Sequence, residues 1–254
     1  SNKRSRDVAF IGSANYSFDH RYSLQGSFRY EGSNKMGLAT SARWLPTWNV
    51  GVAWNASEEK FVKDALPFVS HLKLSTSYSL TGERGPANVT NSLPVISSTI
   101  PYRPFASIKE NGLYIADLEN SELTYEKKHE LNIRFESGFL NNRLNLVFEW
   151  YKRNNYDLIG SISVPGIGGV VNKMANVAEM KGGGYEVTLG THNIMTKDFK
   201  WRTDLILGKA TTEVTKLDTR ATVMSLISGS GFTMEGYPSR GLFSVPFAGL
   251  NEYG

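Results

Sequence analysis

Apolar and polar residues alternate with a period of two along most of this chain, the pattern of strands with one apolar and one polar face. From Asp7 to Phe18 the even positions are Val8, Phe10, Gly12, Ala14, Tyr16 and Phe18, with Ser13, Asn15 and Ser17 between them. A second strand sets Tyr22, Leu24, Gly26, Phe28 and Tyr30 against Ser23, Gln25, Ser27, Arg29 and Glu31. Trp48, Val50, Val52 and Trp54 mark a third, and Leu72, Leu74, Thr76, Tyr78 and Leu80 a fourth. The fifth carries Leu131, Ile133, Phe135, Ser137 and Phe139, and the sixth Leu144, Leu146, Phe148 and Trp150. Tyr185, Val187, Leu189 and Thr191 give a seventh, and Phe199, Trp201, Thr203, Leu205 and Leu207 an eighth. A weaker ninth is expected from Leu242 to Phe247, interrupted by Pro246.

Charge separates the two faces sharply. The apolar faces hold roughly 40 positions, where chance would place about eight charges, and they hold none. Connection lengths add direction. The turns around Asp19, Ser57, Asn141 and Met195 are short or moderate, whereas those from Gly32, Gly82, Asn154 and Gly208 read as long loops. Odd-numbered connections are therefore expected to be short and even-numbered ones long, as in antiparallel outer-membrane barrels. Phe18, Tyr22, Trp54, Phe139, Phe199 and Trp201 lie toward the short turns, and Phe28, Tyr30, Trp48, Tyr78, Trp150 and Tyr185 toward the long loops. Two aromatic girdles with aliphatic residues between them suit a barrel that crosses a membrane. A sandwich core gives no reason to place aromatics at both ends. A strand of about ten residues, tilted by about 45°, covers about 24 Å of membrane.

Composition changes this picture little. Hydrophobic residues are 40% of the 254 and mean hydropathy is -0.30, with no apolar run long enough for a membrane helix. There is no cysteine, so disulfides, thiolate metal sites and cysteine nucleophiles are excluded from this chain. The net charge of +4 is mild and scattered, which gives nucleic-acid binding no support. The start, SNKRSRDVAF, lacks the apolar core of a signal peptide.

The wording of the strands resembles the SusC/RagA family of TonB-dependent outer-membrane transporters. YSLQGSFRYEGSNKMG is similar to the family's strand ending in Arg, an acidic residue and Gly-Ser. WLPTWNVGVAWNASEEKF resembles its Pro-led strand closing on Trp and Glu-x-x-Phe, and HLKLSTSYSLTG its Leu-Lys-Leu strand. NRLNLVFEWYKRNNYDLI, NVAEMKGGGYEVTL, FKWRTDLILGKATTEVTKL and GLFSVPFAGLNEYG also fit. Ala178 and Gly182 depart from the Gly and Asn of that pattern, and Lys209 from its Asn. The resemblance implies an all-β fold, an antiparallel transmembrane β-barrel of 22 strands closed by a plug, of which residues 1–254 supply about nine strands. On this reading the plug and terminal strands lie outside a middle-to-late fragment. It also implies a SusD-like surface lipoprotein as partner, coupling to TonB through a missing N-terminal segment, contact with outer-membrane lipid, a glycan or peptide solute, and no cofactor. The rival is a soluble all-β domain that binds or cleaves carbohydrate; solubility without detergent would favour it.

His20, His71, His129 and His192 have no metal-ligand spacing. The run Pro165, Gly166, Ile167, Gly168, Gly169 lacks the following helix of a phosphate loop, and reads as a loop. Asp117, Glu119 and Glu122 are oxygen-rich, but their spacing fits no EF-hand. The Asn-x-Ser/Thr triplets at Asn15, Asn55 and Asn88 read as chance. Glu130, Glu136 and Glu149 could pair as glycosidase carboxylates, but they alternate with Arg134 and Arg153 and read as lumen salt bridges. A solute descending from outside would first meet polar positions near the long loops. Strand polarity places Arg29 and Glu31 there, with Tyr151 and Arg153, and the fourth connection adds Arg84, Tyr102, Arg103 and Phe105. Tyrosine and arginine supply stacking faces and donors suited to sugars or peptide carbonyls. The alternative is that these side chains pin loops to the wall or to the plug.

Overall fold

A computed structural model describes residues 6–85, 93–100, 111–166, 172–219, 233–239 and 241–249. The strands are β1 (Asp7–Phe18), β2 (Tyr22–Ser33), β3 (Trp44–Asn55), β4 (Val69–Glu83), β5 (Val95–Thr99), β6 (Gly112–Asp117), β7 (Glu126–Phe139), β8 (Leu144–Ser163), β9 (Asn172–Met195) and β10 (Lys200–Leu217). Two short helices, α1 (Thr40–Arg43) and α2 (Lys60–Ala65), sit in connections. One antiparallel sheet runs β1-β2-β3-β4-β7-β8-β9-β10, a meander interrupted only by the separate β5–β6 hairpin inside the fourth connection.

Register carries the alternation from strand to strand. Tyr16, Leu24, Val52, Thr76, Ile133, Trp150, Tyr185 and Lys209 are successive partners in one row. Because the side-chain period is two, one such row fixes the facing of every strand it crosses. Tyr16 stands near the short-turn end of β1, whereas Lys209 lies midway along β10. The row climbs by roughly one residue per strand. With a rise of about 3.3 Å and a spacing of about 4.8 Å, that is a tilt of about 35°, the stagger of a barrel wall.

The turns follow from their residues. Asp19 and His20 both adopt positive φ (51° and 54°), and Arg21 N–H donates to the Phe18 carbonyl at 3.0 Å. That is the left-handed pair that matches hairpin twist, at residue types that tolerate it. The third connection departs from the expected rule. Residues 56–68 fold into a 3-10 turn and α2, and they outnumber the second connection, residues 34–43. Glu59 holds this connection in place: its carboxylate accepts from Tyr22 Oη at 2.6 Å, Arg21 at 3.0 Å and Trp54 Nε1 at 3.3 Å.

Residues beyond Gly208 form strand rather than a long loop, since β10 runs on to Leu217, and two further expectations fail. Residues beyond Asn154 form strand, not a long loop: β8 and β9 continue as a hairpin to Ser163 and from Asn172. A bulge between Asn155 and Leu158, with Asp157 at φ 56°, re-aims this extension. Residues 242–247 are not a strand, because Pro246 lacks the ladder donor and the segment finds no partner strand among the described residues. The departures at Ala178, Gly182 and Lys209 lie within β9 and β10.

The buried core is small and sits at the long-loop end, where Met36, Leu45 and Tyr125 cluster. Residues 120–124 of the fourth connection lie against the second: Gly37 N–H donates to the Leu123 carbonyl at 2.7 Å and Leu38 N–H to Ser121 at 2.9 Å. A Cβ at Gly37 would run into the Ser121 carbonyl, so glycine permits this approach. Asn176 on β9 holds the other side, accepting from Thr124 N–H at 2.9 Å and donating to the Thr124 and Asp157 carbonyls at 2.9 and 2.6 Å. Asn120 donates to the Met174 carbonyl at 2.9 Å.

Candidate functional site

The polar face of the sheet forms a concavity of about 480 Å³, lined in part by Gln25, Lys73, Asn132, Arg134 and Glu136. Its central charges neutralise one another. Arg134 meets Glu136 at 3.0 Å and Glu149 at 3.3 Å, and Asn132 donates to Glu149 at 2.6 Å. Glu130 pairs with Lys128 at 3.2 Å. The carboxylates weighed above as a glycosidase pair are thus engaged in ion pairs along the wall. Among the described residues no group of three or more His, Cys, Asp or Glu side chains is placed to hold a metal ion.

Toward the long loops the sequence-predicted residues divide into two groups, one on β8 and one gathered around the ends of β2 and β4. Tyr151 and Arg153 form the first, on β8. The Arg153 guanidinium lies 4.5 Å from the centroid of the Tyr151 ring. Their partners across the ladder are Gly184 and Gly182. A Cβ at Gly184 would run into the Lys209 carbonyl and into Tyr151 Oη, the latter at 2.8 Å, whereas one at Gly182 would be in ordinary contact, 3.4 Å from Arg153 Cγ. Gly184 lets the Tyr151 ring lie flat along β9. Arg153 Nε is buried and has no hydrogen-bond partner among the described residues.

Arg29, Glu31 and Arg84 belong to the second group. Arg29 is ion-paired to Glu31 two residues on, with Nε at 2.7 Å, and Arg84 to Asp7 at 3.1 Å. Glu31 is buried. Tyr125, a residue that the sequence reading did not single out, completes the group. Its hydroxyl is wholly buried, and burial pushes its pKa up, with Glu31 and Asp7 adding to the shift. Arg84 lies close enough to act on it without completing a hydrogen bond. No local signal marks Tyr125, because its burial depends on the second and fourth connections meeting. Tyr102, Arg103 and Phe105 lie outside the described residues.

Pro165 and Gly166 lie in the β8–β9 connection, with Gly166 at φ 71°, and β9 follows where a phosphate loop would need a helix. Ile167, Gly168 and Gly169 are outside the described residues. His129 takes part in no metal site. It stacks on Tyr78 at 5.7 Å and meets Trp48 and Tyr156 edge-on.

A staggered antiparallel meander with one predominantly apolar face and one ion-paired concave face has the form of a portion of a transmembrane β-barrel wall. Residues 1–244 match the family described as TonB dependent receptor-like, beta-barrel, and the chain belongs to that family. It is 27% identical over 217 residues to TonB-dependent receptor P3 of Formosa agariphila, covering 83% of this chain and 20% of that protein. Against TonB-dependent receptor SusC of Bacteroides thetaiotaomicron it is 26% identical over 215 residues, covering 83% and 21%. The structure of the RagAB peptide importer in the closed-closed state matches with a TM-score of 0.72 and 26% identity, over 83% of this chain and 22% of that one. The chain thus spans about a fifth of the length of these relatives.

Proposed function

We propose that this chain is part of an energised importer in the bacterial outer membrane, and that Tyr151 and Arg153 contact the solute. The short turns face the periplasm and the long connections the cell exterior. The solute is a glycan or a peptide, and no covalent chemistry or cofactor is involved. The rest of the transporter supplies a plug and the TonB-contacting segment, and a SusD-like lipoprotein covers the long-loop end. Support for import comes from the family and from relatives whose names denote TonB-dependent receptors and a peptide importer. The exposed apolar face across eight strands weighs against the soluble carbohydrate-binding alternative.

The observation that carries the site is the Arg153 side chain. It is stacked, packed against a glycine, and has a buried unpaired donor. Arg29, Glu31 and Arg84 already have partners, so their contribution is to shape the wall and set its charge. Tyr102, Arg103 and Phe105 belong to the same proposal as loop contacts. The test is uptake by cells carrying Tyr151→Ala with Arg153→Ala, normalised to surface expression. A loss of affinity of at least ten-fold is expected, about 1.4 kcal/mol. Unchanged affinity and rate across candidate oligosaccharides and peptides would leave these residues a structural role only.

A further inference from the structure

Arg153 has two neighbours of opposite kind. One is the Tyr151 ring, two residues back on the same face of β8, with the guanidinium 4.5 Å from its centroid. The other is Glu130, the direct partner of Arg153 across the ladder on β7. Directly opposed residues have Cβ atoms about 5 Å apart, so the carboxylate is within reach of the guanidinium. Glu130 is paired instead with Lys128, two residues back on its own strand, at 3.2 Å. Both side chains of that pair are partly exposed, 39% and 26%, where an ion pair contributes little. β7 and β8 are inner strands with β4 and β9 on their far sides, so every strand beside these residues is described. Burial of Arg153 Nε without an acceptor is a cost of the stacked position, and a charge-assisted pair with Glu130 relieves it.

We propose that Arg153 is a movable cover on Tyr151 and that Glu130 is the positioning residue that receives it. The proposal rests on the reading of Tyr151 as a solute contact. The ring lies along β9 at Gly184 and carries the guanidinium over it, so a sugar ring or a peptide plane stacks on Tyr151 only after Arg153 leaves. Once released, the guanidinium pairs with the Glu130 carboxylate, and the Lys128 ammonium turns to water. A stacking solute binds the uncovered arrangement alone, and it draws Arg153 to Glu130 by that difference in affinity. Lys128 competes with Arg153 for the same carboxylate and so favours the covered arrangement.

The test reads Tyr151 directly and needs no solute. Whole protein extracted from outer membranes in mild detergent is treated with tetranitromethane, and nitration of Tyr151 is followed by mass spectrometry of its peptide. Folding of each variant is verified by heat-modifiable migration. Arg153→Ala removes the cover and is expected to raise the nitration rate at Tyr151. Lys128→Gln frees Glu130 for Arg153 and is expected to raise it roughly five-fold, the factor that goes with an ion pair of about 1 kcal/mol. Glu130→Gln removes the receiving carboxylate and is expected to leave the rate at or below that of the wild type, and Glu130→Asp to restore it. A Lys128–Glu130 pair that only stiffens the wall predicts equal changes in Lys128→Gln and Glu130→Gln. That result, or an unchanged rate in Arg153→Ala, would overturn the proposal. Should Glu130→Gln not fold, Lys128→Gln decides, and an unchanged rate there overturns it. Unchanged uptake in Tyr151→Ala with Arg153→Ala would instead remove the solute reading on which the proposal rests.

Discussion

The wall of this sheet and the assembly at its long-loop end are held together by different means. Along the wall the large apolar residues are exposed: Phe10 is 62% accessible, Leu205 50% and Val52 48%. The wall's own order comes from backbone ladders, and no described residue covers its apolar face. At the long-loop end Met36 and Tyr125 are at 0% and Leu45 at 3%. That assembly has a miniature core of its own, clamped by asparagines that bond to backbone across distant parts of the chain. The contrast teaches that the two regions answer to different solvents. On the proposed reading the wall faces lipid, whereas the loop assembly excludes water locally. Changes in one should leave the other largely intact.

The largest expected effect breaks the wall. Leu146 pairs with Leu189 on the apolar face, and Leu146→Arg should destabilise the barrel by about 2–4 kcal/mol near the bilayer midplane. Urea titration of folding in lipid vesicles measures this. No loss there would mean that the facing is wrong. A smaller effect is expected at the long-loop end. Asn176→Ala removes the bonds to Thr124 and the Asp157 carbonyl and should cost about 1–3 kcal/mol. Faster hydrogen exchange should be confined to residues 118–126 and the β8–β9 extension. A uniform rise over all strands would mean that the two regions are not separable.

The smallest effect concerns the third connection. Tyr22 Oη and the Arg21 guanidinium hold the Glu59 carboxyl below its ordinary value of 4.5. The folded value lies below the unfolded one, so this contribution is complete above pH 4.5 and is lost as pH falls through the folded value. Protease sensitivity of residues 56–68 should rise at acid pH in the wild type. In Glu59→Gln it should already be raised at neutral pH and stay flat.

The difference between the regions also explains how much the sequence disclosed. Strands that face lipid on one side and polar groups on the other carry the full period-two contrast, and β1 begins and ends where the pattern does. The extension of β8 and β9 past the girdle does not: Asn154, Asn155, Lys181 and the run Gly182 to Gly184 leave no contrast to read. The β5–β6 hairpin is too short and too isolated for its alternation to stand out. At the site, Tyr151 and Arg153 were legible from strand polarity. That Gly184 would make room for Tyr151 was not, because that depends on the register between β8 and β9. Arg29 and Glu31 were also legible by position, but their mutual pairing is a matter of geometry.

If the apolar face is the exterior of a membrane barrel, as proposed, β8 should report it. These 254 residues contain no cysteine, so single cysteines from residue 144 to 150 can each carry a nitroxide label without competition from this segment. Oxygen accessibility in outer-membrane vesicles should peak at 144, 146, 148 and 150, and a water-soluble paramagnetic reagent should be excluded from those same positions. Accessibility without a period of two, or with its maxima at 145, 147 and 149, would contradict the account.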